Sequence, residues 1–289
     1  MKIYIIPTSQ TEYLAKKIQK KTKETGVIFP NLDKRKRRHF PDGEIYMKIL
    51  KAGRIRDGQV IVLHSGASRP NEGLIELELV LQILRDYKIN PEVFFTYFPY
   101  GTQDKVFEKG ETNVAENLIE KLIKYYKVRR IYIIDPHFGG RKWVKKYPIT
   151  SLSAIPLLIK EAKKNYGENI LFLSPDTGGK RRTGILGIKK ERLTSFNVRM
   201  LSPTLNFKGR VVGVIDDMIK TGGTLLKFQK IAKNGEAQKV IALVTHGVIP
   251  SGVLKIKKKY SKLYLTNTIR QKWANVDITN LILKAIAKI

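Results

Sequence analysis

Short apolar runs recur along this chain, with helical stripes between them. Residues 3–6 open it as an apolar run of strand type, and a lysine-rich stretch over 11–23 reads as a polar helix. Residues 44–50 alternate apolar and polar and predict a strand, and 60–63 read as a buried one. Over 71–87, Leu74, Leu77, Leu81 and Leu84 fall at spacings that lay one apolar stripe along a helix. A strand is expected at 93–98, and a helix carrying Val114, Leu118 and Leu122 follows it. The next strand, 131–134, stops at Asp135-Pro136-His137. After a turn-rich polar stretch the alternation resumes: 170–173 ends in Ser174-Pro175-Asp176, 211–215 in Asp216-Asp217, and 240–244 in Thr245-His246-Gly247. Strands alternating with helices predict an α/β fold with mostly parallel sheets flanked by helices. The change of texture near the midpoint divides it into domains 1–145 and 146–289. Polar residues and glycines gather where strands end, which is where open α/β sheets bind ligands.

The length of 289 residues suits two such domains, at about 100–200 residues each. With no cysteine, disulfides, thiolate metal sites and a cysteine nucleophile are excluded. No apolar run approaches the ~20 residues that span a bilayer. The start, Met1-Lys2-Ile3-Tyr4-Ile5-Ile6-Pro7, reads as a first strand and not a leader, so a cytoplasmic location and no membrane partner are expected. Fifty-five lysines and arginines against 25 acids give a formal charge of +30, which attracts polyanions. The lysine clusters, such as Lys16-Lys17 and Lys257-Lys258-Lys259, have no aromatic residues interleaved as a stacking platform would need. Solvated surface is therefore favoured over nucleic-acid binding.

The richest stretch is Val211-Val212-Gly213-Val214-Ile215-Asp216-Asp217-Met218-Ile219-Lys220-Thr221-Gly222-Gly223-Thr224. It reads as a buried strand, two adjacent carboxylates, a short loop and a helix starting near Thr224. Gly222 and Gly223 let the backbone approach an anion closely. Amide N–H groups leading into a helix form a donor nest, to which Thr221 and Thr224 add hydroxyls. Carboxylates that accept from vicinal hydroxyls, beside a nest that holds phosphate, suit a phosphorylated sugar. No Walker A pattern occurs.

This segment resembles the PRPP-binding loop of type I phosphoribosyltransferase-fold proteins. Phe40-Pro41-Asp42-Gly43-Glu44, Phe98-Pro99-Tyr100-Gly101-Thr102-Gln103-Asp104-Lys105, Asp135-Pro136-His137, Ser174-Pro175-Asp176-Thr177-Gly178-Gly179 and Thr245-His246-Gly247 are similar to motifs of the ribose-phosphate pyrophosphokinases, and stand in that family's order. The resemblance covers nearly the whole chain. It implies two phosphoribosyltransferase-like domains and transfer of a diphosphoryl group from Mg-ATP to ribose 5-phosphate. By that resemblance Phe40 stacks on adenine, Asp42 and Glu44 read the base edge, and Thr102, Gln103, Asp104 and Lys105 line the nucleotide cleft. Asp216 and Asp217 take the ribose hydroxyls, while Lys220, Thr221, Gly222, Gly223 and Thr224 hold the 5-phosphate. Lys190 and Arg192 match a Lys-x-Arg on the catalytic loop, and His137 and Asp176 are the magnesium positions. A homo-oligomer, dimer or higher, is implied, with the Phe40 loop serving a neighbouring subunit's ATP site.

Two departures stand out. Thr102 occupies a position where the family usually carries arginine, and Lys220 one where its loop often has an acid. Longer relatives also carry more at the carboxyl end, so the usual hexamer and control by ADP are not assumed, and a dimer or tetramer is equally expected. A transferase that consumes PRPP is the competing expectation, but it would leave Phe40, His137 and Lys190-x-Arg192 without tasks.

Overall fold

The computed structural model describes residues 2–175, 189–192, 198–201 and 206–287. They form two compact units, one of residues 1–152 with 279–289 and one of 153–278. By contacts the chain thus divides after Leu152, and its last helix sorts with the first unit.

The first unit is built on a six-stranded, all-parallel sheet, order β2-β1-β3-β4-β5-β6. Its strands are β1 (Ile3–Pro7), β2 (Thr25–Val27), β3 (Gln59–Ser65), β4 (Glu92–Tyr97), β5 (Ile131–Ile134) and β6 (Ile149–Leu152). Every residue of β3, β4 and β5 is buried, as parallel strands covered on both faces should be. The helices are α1 (Glu12–Lys21), α2 (Pro70–Asp86), α3 (Val114–Lys124) and, from the end of the chain, α7 (Thr279–Ile286). On α2, Leu77, Val80, Leu81 and Leu84 are buried, and Pro70 supplies a pre-set φ at the start. Asn113 caps α3, its side chain accepting from the Glu116 amide at 3.2 Å. Helix α7 joins this unit beside α1, where Lys21 Nζ donates to Asn280 Oδ1 at 2.9 Å.

The expected strand at 44–50 does not form. Its alternation belongs to a ribbon away from the sheet, with one isolated bridge between His39 and Ile45. Phe40 N donates to Glu44 O at 2.8 Å and Tyr46 N to Arg38 O at 2.8 Å, while further along Asn31 N donates to Lys48 O at 2.7 Å.

His64 on β3 is fully buried. Its Nδ1 meets Thr8 Oγ1 at 3.0 Å, Nε2 has no partner among the described residues, and burial lowers its pKa from 6.5 to about 3. The unfolded chain therefore takes this proton first. Stability should fall as pH drops below about 6.5, by about 1.4 kcal/mol per pH unit, and stop falling from this cause near pH 3. Urea denaturation between about pH 6 and pH 4 is the check: His64→Phe should lose that part of the slope, and parallel slopes in both proteins would refute it.

The second unit has a four-stranded parallel sheet, order β12-β11-β10-β7, made of β7 (Ile170–Leu173), β10 (Val211–Ile219), β11 (Lys239–Gly247) and β12 (Lys262–Leu265). Between β7 and β10 in sequence, β8 (Lys189–Arg192) and β9 (Val198–Leu201) form a separate antiparallel pair. The unit's helices are α4 (Ile155–Tyr166), α5 (Gly223–Asn234) and α6 (Pro250–Lys259). One core gathers Val212, Val214, Phe228 and Ile256, and another gathers Ile155, Leu158, Ile215 and Leu243. The two cores cover the sheet that carries the acidic pair. No helix among the described residues is long and apolar enough to cross a membrane.

Candidate active site

Strand β10 runs on to Ile219, past the point where the sequence pattern ends it, so Asp216 and Asp217 lie inside the strand. Both are buried, at 6% and 2% exposure, and Asp217 N donates to Asp216 Oδ1 at 3.0 Å. The hydroxyl of Tyr260 donates to Leu225 O at 2.6 Å, and burial, with the charge of Asp216, drives its pKa well up. It stays a neutral donor beside the pair.

The loop after β10 turns at Gly222, whose φ of +82° only glycine adopts at low cost. Helix α5 then starts at Gly223. Lys220, Thr221 and Gly223 are exposed and Thr224 is partly so, leaving the helix N-terminus open to an anion. The loop is braced by α6: a Cβ on Gly252 would stand 1.9 Å from the carbonyl oxygen of Lys220. At the end of β11, Thr266 and Thr268 hydroxyls donate to Thr245 O at 2.6 and 2.9 Å, and His246 Nδ1 meets Thr268 Oγ1 at 2.9 Å. His246 lies opposite Met218 in the sheet register, so this network stiffens the strand beside the acids.

Lys190 and Arg192 occupy alternate positions of β8, opposite Met200 and Val198 of β9. Asp176 lies outside the described residues.

The remaining candidates belong to the first unit. Phe40 is 47% exposed at the ribbon's tip and packs edge-on against Tyr46. Gly43, at φ +96°, makes the turn, and Glu44 N donates to Asp42 Oδ1 at 3.1 Å. His39 ties the ribbon to α2, meeting Glu72 Oε1 at 3.3 Å. Between ribbon and helix a cavity of about 680 Å³ is lined by His39, Glu44, Arg69, Glu72, Ile75 and Leu79. The first turn of α2 also holds the turn after β4, where Tyr100 Oη donates to Asn71 Oδ1. In that turn Gln103 is exposed, Thr102 half-buried and Asp104 buried. Lys105 lies over the Phe107 ring, 4.5 Å from its centre. Both oxygens of Asp104 are taken by Arg141. His137 follows β5, half-buried, after Asp135 with its φ of +39°.

Sequence reasoning missed Arg141, Asn71, Glu72 and Gly252. Each works through a contact with a residue distant in the chain, and no local pattern marks such a contact. Among the described residues no three histidine or acidic side chains converge as a metal cage. Magnesium prefers oxygen ligands and keeps several waters. With Asp176 outside the described residues, His137, half-buried after β5, is the described member of the expected magnesium pair.

Two α/β units, each built on a parallel sheet, define the architecture, and comparison with known proteins identifies it. The phosphoribosylpyrophosphate synthetase of Mycobacterium smegmatis has the same fold: TM-score 0.83, covering 99% of this chain and 98% of that one at 22% identity. The family model described as the N-terminal domain of ribose phosphate pyrophosphokinase matches residues 3–126. The ribose-phosphate pyrophosphokinase of Pyrococcus furiosus is 30% identical over 94% of this chain and 98% of its own. That of Pyrococcus abyssi is 31% identical over 85% and 87%. The chain belongs to the ribose-phosphate pyrophosphokinase family.

Proposed function

We propose that this protein transfers the β,γ-diphosphoryl group of Mg-ATP to the C1 hydroxyl of ribose 5-phosphate, giving PRPP and AMP. Near full-length likeness to ribose-phosphate pyrophosphokinases carries the assignment. The first unit supplies the nucleotide residues and the second the sugar-phosphate residues. Asp216 and Asp217 accept from the ribose hydroxyls, and Lys220 to Thr224 bind the 5-phosphate with backbone amides at the start of α5. That fixes the sugar so that C1–OH addresses the β-phosphorus. The C1 oxygen bonds to that phosphorus, the bond from it to the bridging oxygen of AMP breaks, and the hydroxyl proton leaves to solvent. Lys190 and Arg192 offset the charge that grows on the transferring group. Phe40 stacks on adenine, Asp42 and Glu44 read its edge, and Thr102, Gln103 and Lys105 line the cleft with Asp104 behind them. His137 and Asp176 would hold magnesium, which when bound neutralises phosphate charge.

The enzyme acts as a homo-oligomer, dimer or higher, with the Phe40 ribbon serving a neighbour's ATP site. In support, Phe40 and Ile75 are large apolar side chains left exposed, at 47% and 53%. Its place is the cytoplasm, where ATP and sugar phosphates are at hand.

Product analysis tests the assignment. Protein, ribose 5-phosphate, ATP and magnesium should yield AMP and PRPP in equal amounts, only with the sugar phosphate present. Asp216→Asn with Asp217→Asn should raise KM for ribose 5-phosphate at least about 10-fold, the worth of one charged hydrogen bond. Formation of ADP, or no AMP from folded protein, would refute the assignment.

A further inference from the structure

The turn after β4 brings little positive charge of its own to a polyanionic substrate. Thr102 and Gln103 are neutral, Asp104 is an acid, and Lys105 lies over the Phe107 ring. A guanidinium reaches the turn from elsewhere in the fold. Arg141, in the segment after β5, grips Asp104 side-on: Nε donates to Oδ2 at 2.6 Å and Nη2 to Oδ1 at 2.9 Å. The Asp104 side chain is 2% exposed and that of Arg141 26%. The anchoring carboxylate is sealed while part of the Arg141 side chain reaches solvent. Binding through Nε and Nη2 leaves Nη1 with both its protons and Nη2 with one, and among the described residues these donors have no partner.

The anchor is rigid. Trp143 Nε1 donates to Asp104 O at 3.2 Å, and Ala115 N to Gln103 O at 3.1 Å. Phe98, Phe138 and Trp143 pack ring on ring at 5.1 and 4.9 Å, clamping the ends of β4 and β5 together. Asp104 therefore cannot swing out to a ligand. A guanidinium fixed by one carboxylate, with its other donors open, is pre-organised for a second anion, and phosphate matches its planar fork.

We propose that Arg141 binds the polyphosphate chain of the nucleotide, with Asp104 as its positioning residue. This rests on the ATP assignment above. The bland alternative is a strut that only closes the turn. A strut fails alike whichever partner is cut, and it affects every ligand of the turn equally. A phosphate ligand does neither.

Binding of ATP, and of adenosine by displacement, should be measured for wild type, Arg141→Ala, Arg141→Lys and Asp104→Asn, with ribose 5-phosphate binding as the folding control. Arg141→Ala should weaken ATP about 10- to 100-fold and adenosine less than about threefold. Arg141→Lys should recover part of the ATP loss, and Asp104→Asn should lose less than Arg141→Ala. Equal losses for ATP and adenosine, or equal losses in Arg141→Ala and Asp104→Asn, would overturn the proposal while leaving the enzyme assignment intact. Wild type that binds no ATP would overturn both.

Discussion

Lys190→Ala should lower kcat about 10³-fold and move KM for ATP and ribose 5-phosphate only a few-fold. Both substrates arrive as anions, and the reaction drives more charge onto the oxygens around the β-phosphorus. A cation placed there gains most when that charge has developed, so its loss falls on kcat and hardly on ground-state binding. Lys190 stands on β8, a strand of a separate two-stranded pair and not of the sheet that carries Asp216 and Asp217. Steady-state AMP formation by Lys190→Ala and Lys190→Arg is the measurement. Arginine keeps the charge in another shape and should recover part of the rate. An alanine variant with unchanged kcat would remove Lys190 from catalysis, and a rise confined to KM would make it a binding residue.

The parallel strands were legible because buried strands read as unbroken apolar runs, as 60–63 and 131–134 do. The Asp216-Asp217 loop was legible because acids followed by paired glycines are a local pattern. The end of β10 was not, since pairing with β11 carries it to Ile219 past two charged residues. Alternation over 44–50 misled for a related reason: period two marks an extended chain, and only tertiary context decides whether a sheet receives it. The edge strand β2 was invisible, being three residues long with a glycine in it. The Arg141–Asp104 pair joins residues 37 apart in sequence, and in a chain with 55 cations nothing local distinguishes that arginine. Both oxygens of Asp104 accept from that arginine, a pairing that the turn's own sequence does not announce.

Gly252→Ala should cut kcat/KM for ribose 5-phosphate about 100-fold, the cost of misplacing a bound group by about 1 Å. The added methyl would sit 1.9 Å from the Lys220 oxygen, 2.9 Å from its carbonyl carbon and 3.2 Å from the Thr221 carbonyl carbon. These are backbone atoms, so no side-chain rotation relieves the clash, and either the loop or α6 must shift. Helix α6 is held by buried Val253 and Ile256, and Val248 N, just before it, donates to Ile219 O at 2.9 Å. The loop, exposed at Lys220 and Thr221, is the softer partner. It should therefore move, carrying with it the amides at the start of α5 that are proposed to hold the 5-phosphate. Overpacking of this kind also costs about 1–3 kcal/mol of stability. Nucleotide binding by the first unit should stay near wild type, which separates a displaced loop from general unfolding. Ser251→Ala, at the exposed neighbouring position, is the control. If Gly252→Ala kept kcat/KM within about threefold of wild type, α6 would not be the brace of the phosphate loop.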